Sequence, residues 1–414
     1  MNCKTSDWWR LLALGLALPT LGCGDSESEA PHSGDSAVSD AEQSDAAAGD
    51  DAGSGDAELP DGRAPTNELA LATFNAGLAP NFVPYATERV GPIVEALSAL
   101  DADVVCLQEV WLPEDIEALV DGTKAAFPHA HWELTTEVAS GEPPACTVEE
   151  AGPLVECVEE NCVDAEDFVG CALASCSAEL GAISPGCQAC VAANLDKPLA
   201  EIQLTCTSGA TEFAYGGHNG LLLLSRQALA DTDFRVLDSS LVQRAALYGR
   251  TDGGLHVYCT HLAADLSEIQ PYTGDFGTFE GEQARQIALI EEWIAERAPD
   301  APTALLGDLN TGPAAGAAEA ELLANYEALR AAGWTSAYAN EPGADCTYCA
   351  DNPIVAEGKS AHIDHVLLRG GAASAGAERI LDGPLSLVPS GGPEDGRLSD
   401  HYGVRAAVQW PIAP

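Results

Sequence analysis

Apolar strands in this chain end, again and again, in a polar side chain capable of chemistry, and that recurrence constrains the fold more than any other feature. ELALATFNAGL ends an alternating run at Asn75, DVVCLQEVW ends a buried run at Glu109, and LHVYCTHLAAD ends one at His261. TALLGDLNTGP carries Asp308 and Asn310 just past its apolar core. HIDHVLLR opens with Asp364, and LSDHYGVRAAV opens with Asp400 and His401. TALL reads as a buried strand with no surface face and the other runs as apolar or alternating strands, and functional groups collect where a rigid scaffold meets its loops. In an extended strand end, Asp308 and Asn310 point the same way. That pairs a charged acceptor with a group that both donates and accepts. Any one of these rims can be a cap or a turn, since Gly, Asp and Asn all favour turns. Their repetition calls instead for one domain that brings several strand ends to one place.

In this order the motifs resemble the endonuclease/exonuclease/phosphatase superfamily, the metal-dependent phosphodiesterases related to pancreatic deoxyribonuclease. The residues that carry the resemblance are Asn75 in TFN, Glu109 in LQEV, His261 in THL, Asp308 and Asn310 in GDLN, Asp364 in IDH and the Asp400–His401 pair in SDH. The stretch RAALYGRTDGGLHVYCTHLAAD and the helix-like EGEQARQIALIEEWI look most like the neutral sphingomyelinase branch. The resemblance implies an α/β (α+β) four-layer sandwich, two mixed β-sheets packed face to face with helices outside. Pattern alone gives mixed α and β and does not choose that sandwich over a doubly wound sheet.

The resemblance also implies roles. Glu109 is the first expected metal ligand, Asn75 supplies a neutral oxygen, and Asp400 reaches the metal region directly or through water. Hard oxygen ligands suit Mg²⁺, with Mn²⁺ as a substitute, acting as Lewis acid on the leaving oxygen. His401 is the expected general base, held by Asp364. Asp308 and Asn310 position water and phosphate, and His261 donates to a non-bridging oxygen or to the leaving group. Asn219, in HNGLLLL, is a further candidate for lining the phosphate pocket.

The first residues, MNCKTSDWWR, are net positive, and LLALGLALPTLG is too short an apolar run to span a bilayer. It ends at Cys23. Residues 1–23 look like a lipoprotein-type signal peptide, with lipid added to Cys23; Thr20 departs from the usual pattern, and an ordinary signal peptide is the alternative. Residues 24–65 are Ser, Asp, Ala, Gly and Glu with almost no large apolar side chain, a disordered acidic tether. The chain is therefore expected to be exported, as a bacterial cell-envelope lipoprotein or an extracellular protein, with a membrane contact through its lipid anchor. Residues 66–414 form the expected catalytic domain, acting as a monomer.

Charge bears on the substrate. The chain has 65 acidic residues against 18 Lys and Arg. Thirteen of the acids and three of the bases precede Thr66, which leaves 52 against 15 and a net −37 on the domain. Duplex DNA is held by Lys and Arg that neutralise phosphates, so this surface is a poor footprint for a polyanion. A phosphodiester lipid head group is favoured, and the expected activity is Mg²⁺-dependent phosphodiester hydrolysis of the sphingomyelinase or phospholipase C kind. A secreted nuclease of the same fold, or a binding protein derived from it, is the alternative.

Of the 14 cysteines, eight fall in one block over residues 145–207: Cys146, Cys157, Cys162, Cys171, Cys176, Cys187, Cys190 and Cys206. An even number in an exported chain reads as a disulfide framework whose connectivity the sequence leaves open. The block reads as a helical insertion between the HAHWELTTEV and GGHNGLLLLSR strands, and a metal site at CQAC is the weaker alternative. Cys346 and Cys349 are expected to close a small disulfide loop. Cys106 and Cys259, inside apolar strands, are expected to be buried free thiols.

Overall fold

The computed structural model describes residues 66–136, 143–162, 168–267, 271–355, 358–386 and 396–412. The signal segment 1–23, Cys23 and the tether 24–65 lie outside the described residues. The chain runs through β1 (Thr66–Leu78), α1 (Ala86–Ala99), β2 (Val104–Val110), α2 (Pro113–Thr123) and β3 (His129–His131). Five helices follow: α3 (Val148–Asn161), α4 (Phe168–Ser175), α5 (Ser177–Leu180), α6 (Pro185–Ala193) and α7 (Leu199–Ser208). Then come β4 (Leu222–Ser225), β5 (Ala230–Val236), β6 (Ala245–Arg250), β7 (His256–His261), α8 (Phe279–Arg297), β8 (Thr303–Asp308), α9 (Leu323–Ala331), β9 (Thr335–Ser336), β10 (Asp364–Arg369), β11 (Ala373–Ile380) and β12 (Gly403–Pro411).

The strands form two six-stranded sheets, ordered β11-β12-β1-β2-β4-β3 and β5-β6-β7-β8-β10-β9. Each is mixed, with one parallel pair near its middle: β1 with β2, and β7 with β8. Strand periodicity explains the layering. Val104 and Cys106 of β2 face the interior between the sheets, where they meet Leu247, Val257, Cys259, Leu306 and Val366 from the other sheet. Val105 and Leu107, on the opposite face, pack beneath Ile93, Leu97, Ile116 and Leu119 of α1 and α2. In the second sheet, Leu305 and Leu367 turn outward to Ile287, Ile290, Trp293 and Leu329 of α8 and α9. This is the four-layer sandwich that the resemblance implies. α8 opens with Thr278 accepting from Gly281 N at 3.0 Å, carries Glu280 and Glu282 in its first turn and Arg297 in its last; both devices favour the helix.

Cys106 and Cys259 are not free thiols. They form a disulfide across the sandwich, with Cα atoms 5.4 Å apart. Both side chains face the inter-sheet core from opposite sheets, an apposition that residues 153 apart in sequence do not reveal. Among the described residues of the HAHWELTTEV stretch, His129–His131 alone pair as a strand. The remaining bridges link Cys146 to Cys187, Cys157 to Cys176, Cys162 to Cys171, Cys190 to Cys206 and Cys346 to Cys349. Cys187 and Cys190 thus belong to separate bridges. The helices α3 to α7 share a small core of their own around Leu154, Val158, Ile183 and Ile202. At its start, Thr147 and Glu150 close a capping box on α3.

Candidate active site

Strand register brings the sequence-predicted residues together. In the parallel pair β7–β8, His261 lies opposite Asp308. In the antiparallel pair β8–β10, Asp308 lies opposite Asp364. In the other sheet Asn75 lies opposite Gln108, one residue before Glu109. β12 runs antiparallel to β1, so Asp400 and His401, just before β12, fall where β1 ends. Side chains from the two sheets then meet across the rim.

Asn75 Nδ2 donates to Glu109 Oε1 at 2.9 Å and to Asp308 Oδ2 at 3.0 Å, while its Oδ1 accepts from Gly77 N at 2.9 Å. The expected neutral oxygen ligand is therefore engaged by backbone, and the amide nitrogen faces the carboxylates. Gly77 has φ +54°, and a Cβ there would stand 2.5 Å from Asp400 Oδ1; the close approach and the backbone both call for glycine. Asp400 Oδ1 also accepts from Ser399 Oγ at 3.0 Å. Glu109 has φ +56°, an unfavourable backbone for a residue with a Cβ. Such strain collects at functional sites.

Asn310 does not continue the strand beside Asp308. Its φ of +47° turns the chain, its N–H donates to Asp308 Oδ1 at 2.9 Å, and its Nδ2 donates to Leu262 O at 3.0 Å. The same Nδ2 lies 3.1 Å from His261 Nε2. With two hydrogens it serves both partners, which makes His261 Nε2 an acceptor and puts the ring proton on Nδ1. His261 Nδ1 is buried without a hydrogen-bond partner among the described residues. His261 Nε2 is 3.4 Å from Asp308 Oδ2. On the far side of Asp308, His401 Nδ1 is 2.9 Å from Asp364 Oδ2 and 3.9 Å from Asp308 Oδ2.

Burial and crowding set the electrostatics. Desolvation raises the Glu109 carboxyl above its usual range, and the charge of Asp400 raises it further. Asp308 is pushed up to about 7, by burial first and by Asp364 second. His261 is held well below the ordinary histidine value by burial, then by the charges of Arg244 and His401. His401 goes the other way: burial opposes its charge, but Asp364 and Asp308 outweigh that and lift it well above the ordinary value.

Two groups bring their ligand atoms within 4.8 Å of one another: Glu109 with His261 and Asp308, and Asp308 with Asp364 and His401. The donor set fits a hard divalent cation. Carboxylates predominate, and Glu109 and Asp400 repel each other in a desolvated rim, a repulsion that a cation relieves.

Motif reading missed two arginines. Arg244 is only 6% exposed, its Nη1 has no hydrogen-bond partner among the described residues, and its charge acts on Glu109 and Asp308. It sits over the Trp111 ring at 6.0 Å. Arg89 is wholly buried and donates to the carbonyls of Pro84, Ala76, Leu398 and Gly77, tying the end of β1 to the segment before Asp400. The signal for Arg89 was present: it falls in the apolar stripe of α1 with Ala86, Ile93 and Leu97. Asn219 does not line the pocket with a free amide; its Nδ2 donates to Glu133 O at 2.6 Å and its Oδ1 accepts from Leu221 N at 3.1 Å.

Similarity to known proteins agrees with this geometry. A Drosophila melanogaster protein described as a putative neutral sphingomyelinase is 38% identical over 65 residues, 16% of this chain and only 15% of that protein's length. The structure of SmcL superposes with a TM-score of 0.52 at 15% identity, covering 82% of this chain and 98% of that one. Beta toxin 275-280 from Staphylococcus aureus superposes with a TM-score of 0.50 at 15% identity, covering 82% and 99%. At such identity the two structures share the fold. The sequence model of the Endonuclease/Exonuclease/phosphatase family matches residues 72–401, a span that holds every rim residue described above, and the chain belongs to that family.

Proposed function

We propose that the chain hydrolyses phosphodiesters with a divalent cation, and that its substrate is a phospholipid from which it releases the phosphorylated head group, as a sphingomyelinase or phospholipase C does. One observation carries the reading: Glu109, His261, Asp308 and the Asp364–His401 pair converge on one buried rim. His401, fixed at Nδ1 by Asp364, is the group that takes a proton from the attacking water; because Asp364 and Asp308 favour its charged form, it does so once the positive charge of a bound cation offsets theirs and frees the neutral imidazole. Asp308 orients that water, and Asn310, whose amide hydrogens are spent on His261 and Leu262, holds His261 in place. His261 carries its proton on Nδ1 and has no charge to lose, so it serves as a neutral donor or polariser at a phosphoryl oxygen. Arg244 Nη1 is free to donate to a second phosphoryl oxygen. Glu109, with Asp400 beside it and Asn75 holding it in place, would bind Mg²⁺, which when bound supplies Lewis-acid charge for the phosphoryl and leaving oxygens.

The lipid preference rests on the domain's net −37, which repels a polyanion, and on the short match to a protein described as a putative neutral sphingomyelinase. The six disulfides among the described residues suit an oxidising compartment, in keeping with export and attachment through Cys23. The test is a panel with Mg²⁺: sphingomyelin, lysophospholipids, plasmid DNA and bis-p-nitrophenyl phosphate. Choline phosphate release with poor DNA nicking at moderate salt is expected. Efficient nicking without lipid hydrolysis would establish the nuclease instead.

A further inference from the structure

The helices α3 to α7 enclose a cavity of about 180 Å³. Protein interiors seldom keep voids much larger than a water molecule. A comparable apolar cavity, ~150 Å³, stays dry and takes up a hydrocarbon guest. The walls here are of that kind. They include Leu154, Val158, Phe168, Leu180 and Ile202 and no charged side chain. Of the three polar wall residues besides cysteine, two spend their donors on backbone: Gln188 Nε2 donates to Leu180 O and Ile183 O, and Thr207 Oγ1 to Gln203 O; Gln203 is the third. A water inside would find few partners beyond the Gln203 amide.

One wall lacks contents. α4, FVGCALAS, is apolar nearly all round, yet none of its residues is buried. A helix of that composition normally lies inside a core. Its Phe168, Val169, Ala172 and Leu173 line the cavity and stay half-exposed. Cys157–Cys176 and Cys162–Cys171 staple the segment to α3.

The cavity adjoins the catalytic rim. Phe82, in the loop that follows β1, is part of the wall. Asn81 Nδ2 donates to Leu195 O at 3.0 Å, and Leu195 is also wall. Phe82 then meets Tyr215 at 6.2 Å, Tyr215 stacks on Trp111 at 4.9 Å, and Trp111 lies 6.2 Å from His261. Apolar rings thus run without a break from the wall to the site. We infer that the cavity of the disulfide-stapled helices binds an aliphatic chain, and that this chain belongs to the lipid whose phosphodiester enters the rim. The second half of that inference rests on the lipid phosphodiesterase reading above; the first half does not.

The experiment uses the full chain and displacement of the neutral fluorophore 1-aminoanthracene by 1-octanol, 1-decanol and 1-dodecanol. Affinity is expected to rise about fourfold per methylene until the cavity is full. Ala172→Trp, which fills the space, and Val169→Asp, which places a charge in the wall, should each weaken alkanol binding at least tenfold. Both should raise KM for a long-chain phosphodiester lipid at least tenfold, with turnover of bis-p-nitrophenyl phosphate unchanged as proof of folding. Absence of chain-length-dependent binding, or wild-type binding in both variants, overturns the cavity assignment. Unchanged KM for the lipid in variants that no longer bind alkanols overturns the substrate assignment. Tight alkanol binding by a protein that hydrolyses no phosphodiester overturns the enzymatic reading and leaves the chain site standing.

Discussion

His401 Nδ1 lies 2.9 Å from Asp364 Oδ2, and neither side chain reaches solvent appreciably. The pair joins residues from the two sheets: Asp364 opens β10 of the second, and His401 precedes β12 of the first. A buried carboxylate on one ring nitrogen fixes the tautomer and orientation of the imidazole. Asp364→Asn preserves the shape and removes the charge, so kcat should fall about 10²- to 10⁴-fold with little change in melting temperature. His401→Ala should cost at least as much. Steady-state kinetics on bis-p-nitrophenyl phosphate measures both, and an Asp364→Asn enzyme within threefold of wild type would remove the pair from the mechanism.

Glu109 stands where burial and Asp400 both oppose its charge, the circumstance a bound cation relieves. Excess chelator should abolish hydrolysis, and Mg²⁺ or Mn²⁺ should restore it. Glu109→Gln keeps the acceptor geometry toward Asn75 Nδ2 and removes the charge, so its turnover with metal should resemble that of chelated wild type. Metal binding itself, read by calorimetry without substrate, should weaken at least tenfold in the variant.

Arg244 is buried beside Glu109 and Asp308 with an Nη1 that has no hydrogen-bond partner among the described residues; it opens the stretch RAALYGRTDGG that carries the branch resemblance, yet the motif pattern gives it no role. A guanidinium with free donors in such a place fits phosphate recognition. Arg244→Met should lower kcat/KM roughly 10- to 100-fold, corresponding to the ~1.5–3 kcal/mol of a hydrogen bond to a charged group. Arg244→Lys should recover part of the loss. An unaltered kcat/KM in the Met variant would make Arg244 a structural counter-charge only.

The strand rims were legible because each one is local: an apolar run and the polar residue that closes it lie within about ten residues in sequence. The sandwich itself came from resemblance, since alternation tells which residues are buried but not which sheet covers which. Three features could not be read in full for one reason, that they depend on apposition between distant segments, although the burial of Arg89 was marked by its place in the α1 stripe. Cys106 meets Cys259 only after the two sheets pack. Arg89 becomes a clamp only when Gly77 and Leu398 come to its sides. Asn310 turns away from Asp308 because its amide finds Leu262 O on a neighbouring strand end.

The Cys106–Cys259 bridge closes a loop of 153 residues through the middle of the core. Loop-closure entropy makes its removal cost on the order of 2–5 kcal/mol. Cys106→Ala with Cys259→Ala should therefore lower the melting temperature clearly while leaving kcat nearly intact, because neither sulfur reaches the rim. Thiol titration of denatured, unreduced protein should find none of the twelve bridged cysteines reactive. Two free thiols that vanish in the double variant would show that this bridge does not form.

His365 gives the fold an acid-sensitive point outside the reacting groups. Its Nε2 donates to Thr311 O at 2.9 Å, and its ring lies 4.6 Å from that of His362 and 5.5 Å from Tyr326. Burial, then the charge of His362, holds it well below the ordinary histidine value. His362 is lowered in the same direction, by burial first. Below about pH 6.5 the unfolded chain binds a proton that the folded His365 refuses. Stability must then fall as the pH drops, by up to ~1.4 kcal/mol per unit for one such group. His401, lifted rather than lowered, contributes with the opposite sign, so the whole-protein curve mixes the two and a variant is needed to separate them. His365→Phe loses the bond to Thr311 and should melt lower than wild type at pH 8. Between pH 7 and pH 5 its melting temperature should decline less steeply than that of wild type. Parallel curves for the two proteins would mean that His365 does not resist protonation in the folded state.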